Sequence, residues 1–426
     1  MTYLPRAADK RLAELLLGSR AISIEGPRGC GKTRTALQIA QTVVEMDDPG
    51  ARAALQADRR GILASMQAPV LVDEWQLDPP VWDAVRRLVD TEGVPGRFVL
   101  TGSADPGESS LHSGAGRFAR LRMRPMALCE RGLTEPTVSM ADLWAGDAKL
   151  SGSSPVALAD YVEQIVGSGL PGVLREPIGQ RQSAVRDYVD YLMSHEIGVH
   201  GGHMRRPQSL RAWLRAYAAA TGSTASQEAI SLAVDRDSMP SRKTITEFRD
   251  TLERLWLLDP VPAWQLGVPR LNQLGSAPKH HLADPALAAT LLGANATNLL
   301  RASGPGDAEP GLRNLHHGPL LGALFESLVT LSVRTLADTL GLEVSHLRTH
   351  RGQREIDLVI HSADGRAIAC EVKLSPDVDD HDVRHLHWLR NEMGDLLIDR
   401  IVVTTGTYAY RRPDGVAVIP LALLGP

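Results

Sequence analysis

Cysteine is scarce in this chain. The three residues in 426, Cys30, Cys129 and Cys370, lie far apart and show no CxxC or CxxH spacing. This excludes a disulfide scaffold and a spaced structural zinc site, and it fits a reducing compartment. Aromatics make up only 4%, so the core must be built mainly from Leu, Val, Ile and Ala. Neither sign of charge dominates: 46 Lys and Arg stand against 50 Asp and Glu, a net charge of −4. That excludes a protein that coats nucleic acid through bulk positive charge, but it leaves room for a local basic patch. No apolar run approaches the roughly 18 residues needed to cross a bilayer. The start of the chain is broken by Arg6, Asp9, Lys10, Arg11 and Glu14 and holds no signal-peptide stretch. The expectation is a cytoplasmic protein with no membrane partner.

What is present is a globular composition, 43% hydrophobic and 23% charged, in a length that fits two or three domains. The pattern separates into three segments, 1–140, 155–300 and 312–426, linked by loops rich in Gly, Ser, Ala and Pro. In the first, apolar runs such as Ala21-Ile22-Ser23-Ile24 and Val70-Leu71-Val72 alternate with helical stretches. Such alternation predicts an α/β fold with a parallel sheet. The second segment reads as mainly helical. Successive helices over 209–221, 226–234 and 240–258, followed by a strand or turn over 257–264, resemble a winged helix-turn-helix. The third reads helix, strand, strand, strand, helix, strand over 320–405.

The strongest motif is Gly26-Pro27-Arg28-Gly29-Cys30-Gly31-Lys32-Thr33, with Arg34 following. It leaves a strand and opens a helix, the context a Walker A loop requires. Glycines let backbone N–H groups turn inward around phosphates. Lys32 then reaches the β- and γ-phosphates, and the Thr33 hydroxyl can ligate Mg²⁺. About 40 residues on, the apolar strand Val70-Leu71-Val72 ends in Asp73-Glu74, at the sheet edge where ligands sit. Asp73 is the expected Mg²⁺ ligand and Glu74 the group that polarises the attacking water. Thr101-Gly102-Ser103 closes the next strand and reads equally as a γ-phosphate contact or a plain turn. Arg117 and Arg120 are candidate arginine fingers, for this chain or a neighbouring subunit, with a structural or solvated arginine as the competing reading. The expected cofactors are ATP and Mg²⁺.

These residues resemble a prokaryotic family of predicted AAA-type ATPases fused to a C-terminal domain of unknown function. The matching pieces are Gly26–Thr33, Asp47-Asp48-Pro49, Val70–Trp75, Thr101-Gly102-Ser103, and Gly116-Arg117 leading to Arg124-Pro125-Met126-Ala127. Further on they are Gly169-Leu170-Pro171-Gly172, the run from His281 to Leu287, and Gly322-Ala323-Leu324-Phe325-Glu326. The resemblance implies nucleotide binding by an AAA-type domain at 1–140 and supplies no biological role. AAA-type relatives often assemble so that an arginine completes a neighbour's site, so the candidate partners are ATP and ADP, DNA, and further copies of the chain.

The third segment carries its own constellation. Asp357 lies on one strand, Glu371 and Lys373 share a face of the next, and Glu326 sits on the preceding helix. With the element order, this resembles the PD-(D/E)xK nuclease core. Asp357 and Glu371, assisted by Glu326, would hold Mg²⁺, and Lys373 would orient water or offset charge. The competing reading is an ion pair in a sheet without catalytic power. His381 and His385, one helical turn apart, with His387, His316 and His317 nearby, read as surface histidines rather than a zinc site. Arg242, Lys243, Arg249 and Arg254, with Arg205, Arg206, Arg211 and Arg215 upstream, form the best local candidate for DNA phosphate contacts.

Overall fold

A computed structural model of the chain describes residues 3–102, 116–196, 207–234, 240–264, 277–301, 317–349 and 352–426. Ser103, Arg205, Arg206 and His316 lie outside the described residues. The fold consists of two compact units, Met1–Pro125 with Leu252–Leu257, and Met126–Thr251 with Leu258–Pro426.

The first unit is α/β. Its strands are β1 Ala21–Glu25, β2 Thr42–Glu45, β3 Val70–Asp73, β4 Phe98–Gly102 and β5 Phe118–Arg122. They form one sheet in the order β2-β3-β4-β1-β5, and every pairing is parallel. β1, β3 and β4 are buried along their whole length, which fits their largely apolar sequences. The helices are α1 Ala7–Gly18, α2 Lys32–Ala36, α3 Pro49–Ala57, α4 Arg59–Ser65 and α5 Pro80–Glu92. α3 shows how local sequence sets a start: Asp48 caps it by accepting from Gly50 N at 2.7 Å, with Pro49 in the first turn. The Trp82 ring stacks on Phe118, centroids 4.0 Å apart, and tilts against Trp75 at 4.9 Å. Burying one such indole removes roughly 200 Å² from water, about 5 kcal/mol at ~25 cal/mol per Å². This cluster fixes the chain that leaves β3.

The second unit combines the helical middle with the C-terminal sheet. The strand pair β6 Val138–Ser139 and β13 Leu424–Gly425 is parallel. The main sheet has strands β7 Glu343–Arg348, β8 Glu355–His361, β9 Ala367–Val372, β10 Leu397–Thr404, β11 Tyr410–Arg411 and β12 Ala417–Pro420. Their order is β11-β12-β10-β9-β8-β7. β7, β8 and β9 pair antiparallel, while β9, β10 and β12 pair parallel. With the helices His317–Thr339 and Asp380–Met393, this is the helix–strand–strand–strand–helix–strand order read from the sequence. The stretch Gly318–Thr339 is long and apolar enough to cross a bilayer by composition, but 72% of its most apolar window is buried inside the unit.

Apart from Leu252–Leu257, the described residues of the segments 155–300 and 312–426, separate in the sequence pattern, lie in this one unit. Tyr161 meets Phe325 edge-on at 5.5 Å, and Pro262 O accepts from His346 N on β7 at 2.9 Å. The three helices of the middle segment are present, as Pro207–Ala219, Gln227–Leu232 and Arg242–Arg254. After them, antiparallel bridges join Leu258 to Leu282 and Val261 to Lys279.

Candidate functional site

The phosphate loop leaves β1 in a shape that demands glycine. Gly26 has φ +154°, and a Cβ there would stand 2.1 Å from the Met123 carbonyl oxygen. Gly31 precedes α2 in a left-handed conformation, φ 107°, which only glycine adopts without cost. Lys32 is buried, and its ammonium donates to the carbonyls of Gly26 at 2.9 Å and Pro27 at 3.0 Å. These two bonds tie the lysine to its own loop. The loop is held from behind by Arg6, buried at the start of the chain. Its guanidinium donates to Cys30 O at 2.6 Å and Arg124 O at 2.8 Å. Cys30 is buried with its thiol turned toward Met123 O, 3.7 Å away, so its side chain points away from the loop's open face. Arg28 and Arg34 are exposed.

Sheet order explains the rest of the site. β4 lies between β1 and β3, so Thr101 is in register with both Ile24 and Asp73. Asp73 Oδ1 accepts from the Thr33 hydroxyl at 2.9 Å and also from the Thr101 hydroxyl. Thr33 and Asp73 thus present oxygen donors side by side, the donor type Mg²⁺ takes. Thr101, read equally as a γ-phosphate contact or a plain turn, donates its hydroxyl to Asp73. Glu74 follows with φ 52°, ψ 44°, a left-handed conformation rare for a non-glycine residue and typical of functional sites. Its carboxylate accepts from the Gln76 amide. Gly102 allows this packing, since a Cβ there would meet Trp75 Nε1 and Gln76 Oε1, both at 2.7 Å.

Of the candidate fingers, Arg117 is placed away from the loop. Arg117 pairs with Asp90 at 2.6 Å and precedes Phe118, which is in register with Ala21. The loop leaves the other end of β1, roughly 13 Å away by strand rise. Arg117 therefore does not meet the phosphate loop of its own chain. Arg120 Nε lies 3.6 Å from Glu25 Oε1 with a largely exposed side chain.

In the second unit the structure brings Glu326, Asp357 and Glu371 together, and it adds a residue the sequence reading missed. Lys279, 1% exposed, donates to Glu326 Oε1 at 2.8 Å and Asp357 Oδ1 at 3.0 Å. Glu355 Oε1 is 3.4 Å away. Burial opposes charge on this ammonium, but Asp357 and Glu326 outweigh it and raise its pKa. Burial also works against the Asp357 carboxylate, and Lys279 and the Val372 amide overcome it, holding it below its ordinary range. Glu371 is pushed well above the usual range by burial and by Asp357. Glu326 is raised to about 7, again by burial first and Asp357 second. Lys373 lies apart from Lys279's oxygens, 3.9 Å from Glu371 and 3.4 Å from Asp382. As built, this donor set does not fit a divalent ion, because an ammonium already holds its converging oxygens. The only sequence signal for Lys279 was a lone lysine entering the run His281 to Leu287.

That run has a structural role. The Asp284 carboxylate accepts from Ser168 Oγ at 2.8 Å and Gly169 N at 2.7 Å, and it caps the helix Pro285–Leu292 through Ala286 N. The motifs at 169–172 and 281–287 therefore lock each other. His281, fully buried beside Glu326, is lowered to about 3 by burial and by Lys279 and stays neutral. His385 bonds the Glu355 carbonyl at 2.8 Å, while His381 lies exposed beside Asp379 and Asp382. On the middle helices, Lys243 is 4.0 Å from Glu247, Arg249 3.9 Å from Asp250 and Arg211 2.7 Å from Asp190.

Three family descriptions match the chain: an AAA domain at residues 18–131, a domain of unknown function (DUF8612) at 158–298, and a domain of unknown function (DUF4143) at 321–424. Two similar proteins are the uncharacterized protein Mb2031c of Mycobacterium bovis and the uncharacterized protein Rv2008c of Mycobacterium tuberculosis. Each is 23% identical over 97% of this chain and 83% of its own length. Among solved structures, the Walker-type ATPase PABY2304 of Pyrococcus abyssi aligns with a TM-score of 0.42 and 13% identity over 68% of this chain and 96% of its own. The replication initiator DnaA bound to AMPPCP and single-stranded DNA aligns with a TM-score of 0.29 and 13% identity, over 59% of this chain and 89% of its own.

Proposed function

Since the chain carries an AAA-type P-loop domain toward its N-terminus and a DUF4143 domain at its C-terminal end, we propose that it is a Mg²⁺-dependent ATP hydrolase. The observation that supports this most is the placing of the Thr33 hydroxyl 2.9 Å from the Asp73 carboxylate, beside a loop whose lysine folds onto the carbonyls of Gly26 and Pro27. The Lys32 ammonium would meet the β- and γ-phosphates, and the backbone N–H groups of Gly26 and of Arg28 to Arg34 would line the phosphate chain. Thr33 and Asp73 would hold Mg²⁺, which would offset phosphate charge. Thr101 keeps the Asp73 carboxylate turned toward Thr33. Glu74, set by its left-handed backbone and by Gln76, orients and polarises water. The test is ATP binding and turnover by wild type, Lys32→Ala and Glu74→Gln. Lys32→Ala is expected to lose ATP binding, and Glu74→Gln to bind ATP with turnover reduced at least about 100-fold. Equal ATP binding by wild type and Lys32→Ala would sink the loop assignment. Wild-type turnover by Glu74→Gln would remove its role.

A second reading makes nucleotide state control a DNA-binding module built on the middle helices. It draws on the three successive helices, the bridged arms that follow them, and the arginines of the third helix. Gel shift of DNA by the full chain with and without ATP tests it. ATP binding without turnover and without a DNA shift favours a nucleotide-dependent scaffold instead. An ATP-regulated nuclease rests only on element order and on Glu326, Asp357, Glu371 and Lys373, and the placing of Lys279 counts against it.

A further inference from the structure

Lys279 is carried by a rigid mount. Its backbone N–H and carbonyl both pair with Val261, each at 2.9 Å. The same arm continues to Trp264, whose N–H donates to His346 O at 2.7 Å, and His346 N donates back to Pro262 O at 2.9 Å. His346 belongs to β7, and β7 pairs with β8, the strand that bears Glu355 and Asp357. The lysine stem is therefore fixed to the sheet that supplies two of its acceptors, and the third, Glu326, comes from the helix His317–Thr339. An ammonium has three hydrogens, and three oxygens stand at 2.8, 3.0 and 3.4 Å. Those are ammonium–carboxylate separations, whereas Mg²⁺ requires oxygens at about 2.0–2.1 Å.

The point on which Glu326 and Asp357 converge is thus filled by a covalently attached cation. We propose that Lys279 takes the place of a divalent metal in the C-terminal unit, so that this carboxylate cluster is a closed, metal-free salt-bridge core, and that removing the ammonium converts it into a divalent-cation site. The inference is independent of the ATPase reading, since every residue in it belongs to the second unit. It predicts that the chain does not hydrolyse phosphodiesters with this cluster.

The experiment is Mn²⁺ titration of the nucleotide-free full chain, read by the electron paramagnetic resonance signal of free Mn²⁺. Wild type and Asp357→Asn are expected to bind the same number of Mn²⁺ ions with the same affinities. Lys279→Ala is expected to gain one site at least tenfold tighter than that, and Lys279→Ala/Asp357→Asn to lack it. A wild-type Mn²⁺ site that disappears in Asp357→Asn overturns the proposal. So does a Lys279→Ala protein with native circular dichroism that gains no site. If Lys279→Ala does not fold, the wild-type and Asp357→Asn pair still decides. Incubation of wild type with plasmid DNA and Mn²⁺ adds a second readout: uncut DNA is expected, and cleavage abolished by Glu371→Ala overturns the proposal.

Discussion

Thr101→Val changes one atom type in the middle of the nucleotide site. The side chain is 1% exposed on β4, between β1 and β3, and valine keeps both its branching and its volume. What is lost is the hydroxyl that donates to Asp73 Oδ1, leaving Thr33 as that oxygen's remaining hydroxyl partner at 2.9 Å. Removing one donor from an ionised acceptor costs about 1.5–3 kcal/mol, and each 1.4 kcal/mol is about a factor of ten in an opening equilibrium. The amides of Leu71, Val72 and Leu100 should therefore exchange with solvent roughly 10–100 times faster, as read by hydrogen-exchange mass spectrometry. If Thr101 orients the Mg²⁺ ligand, the variant should also need more Mg²⁺ for half-maximal ATP turnover. Turnover should fall by about 10–100-fold, the usual cost of losing a group that orients a metal ligand. Thr101→Ser, which restores the hydroxyl, should recover the Mg²⁺ dependence even where valine's packing is better. A valine variant with wild-type exchange and wild-type Mg²⁺ dependence would refute the positioning role.

Two further perturbations follow from local geometry. Gly26→Ala places a methyl 2.1 Å from the Met123 carbonyl oxygen, a backbone atom that cannot swing aside. It should destabilise the first unit by about 1–3 kcal/mol and abolish ATP binding; an unchanged melting temperature with intact binding would contradict the close approach. Glu326→Gln tests the buried carboxyl through pH. The wild-type carboxyl titrates at about 7 in the fold, raised from its ordinary 4.5. Its contribution is fully present below pH 4.5 and is lost as pH rises through 7. Glutamine does not titrate, so wild-type stability relative to Glu326→Gln should fall across that window and level off above it. Urea midpoints between pH 4 and 8 measure this, and a difference that stays flat or rises with pH would contradict the shift.

Features carried by contiguous residues were legible in the chain itself. The phosphate loop, the apolar β3 ending in Asp73-Glu74, and the C-terminal order of helices and strands are encoded by neighbours in sequence, where spacing and periodicity act directly. The glycines of the loop announced a backbone that only they can adopt. Other features waited on the fold. Thr101 became a partner of Asp73 because β4 inserts between β1 and β3, and strand order is set by packing of whole faces rather than by any local signal. Arg117 fell at the far edge of the sheet because β5 runs parallel to β1, so the start of β5 and the end of β1 lie at opposite edges. Lys279 lies 47 residues from Glu326 and 78 from Asp357, and no spacing rule connects them. A buried cation is tolerated only where carboxylates from several elements converge on it, and that convergence exists only after the helix, the arm and the sheet have packed together.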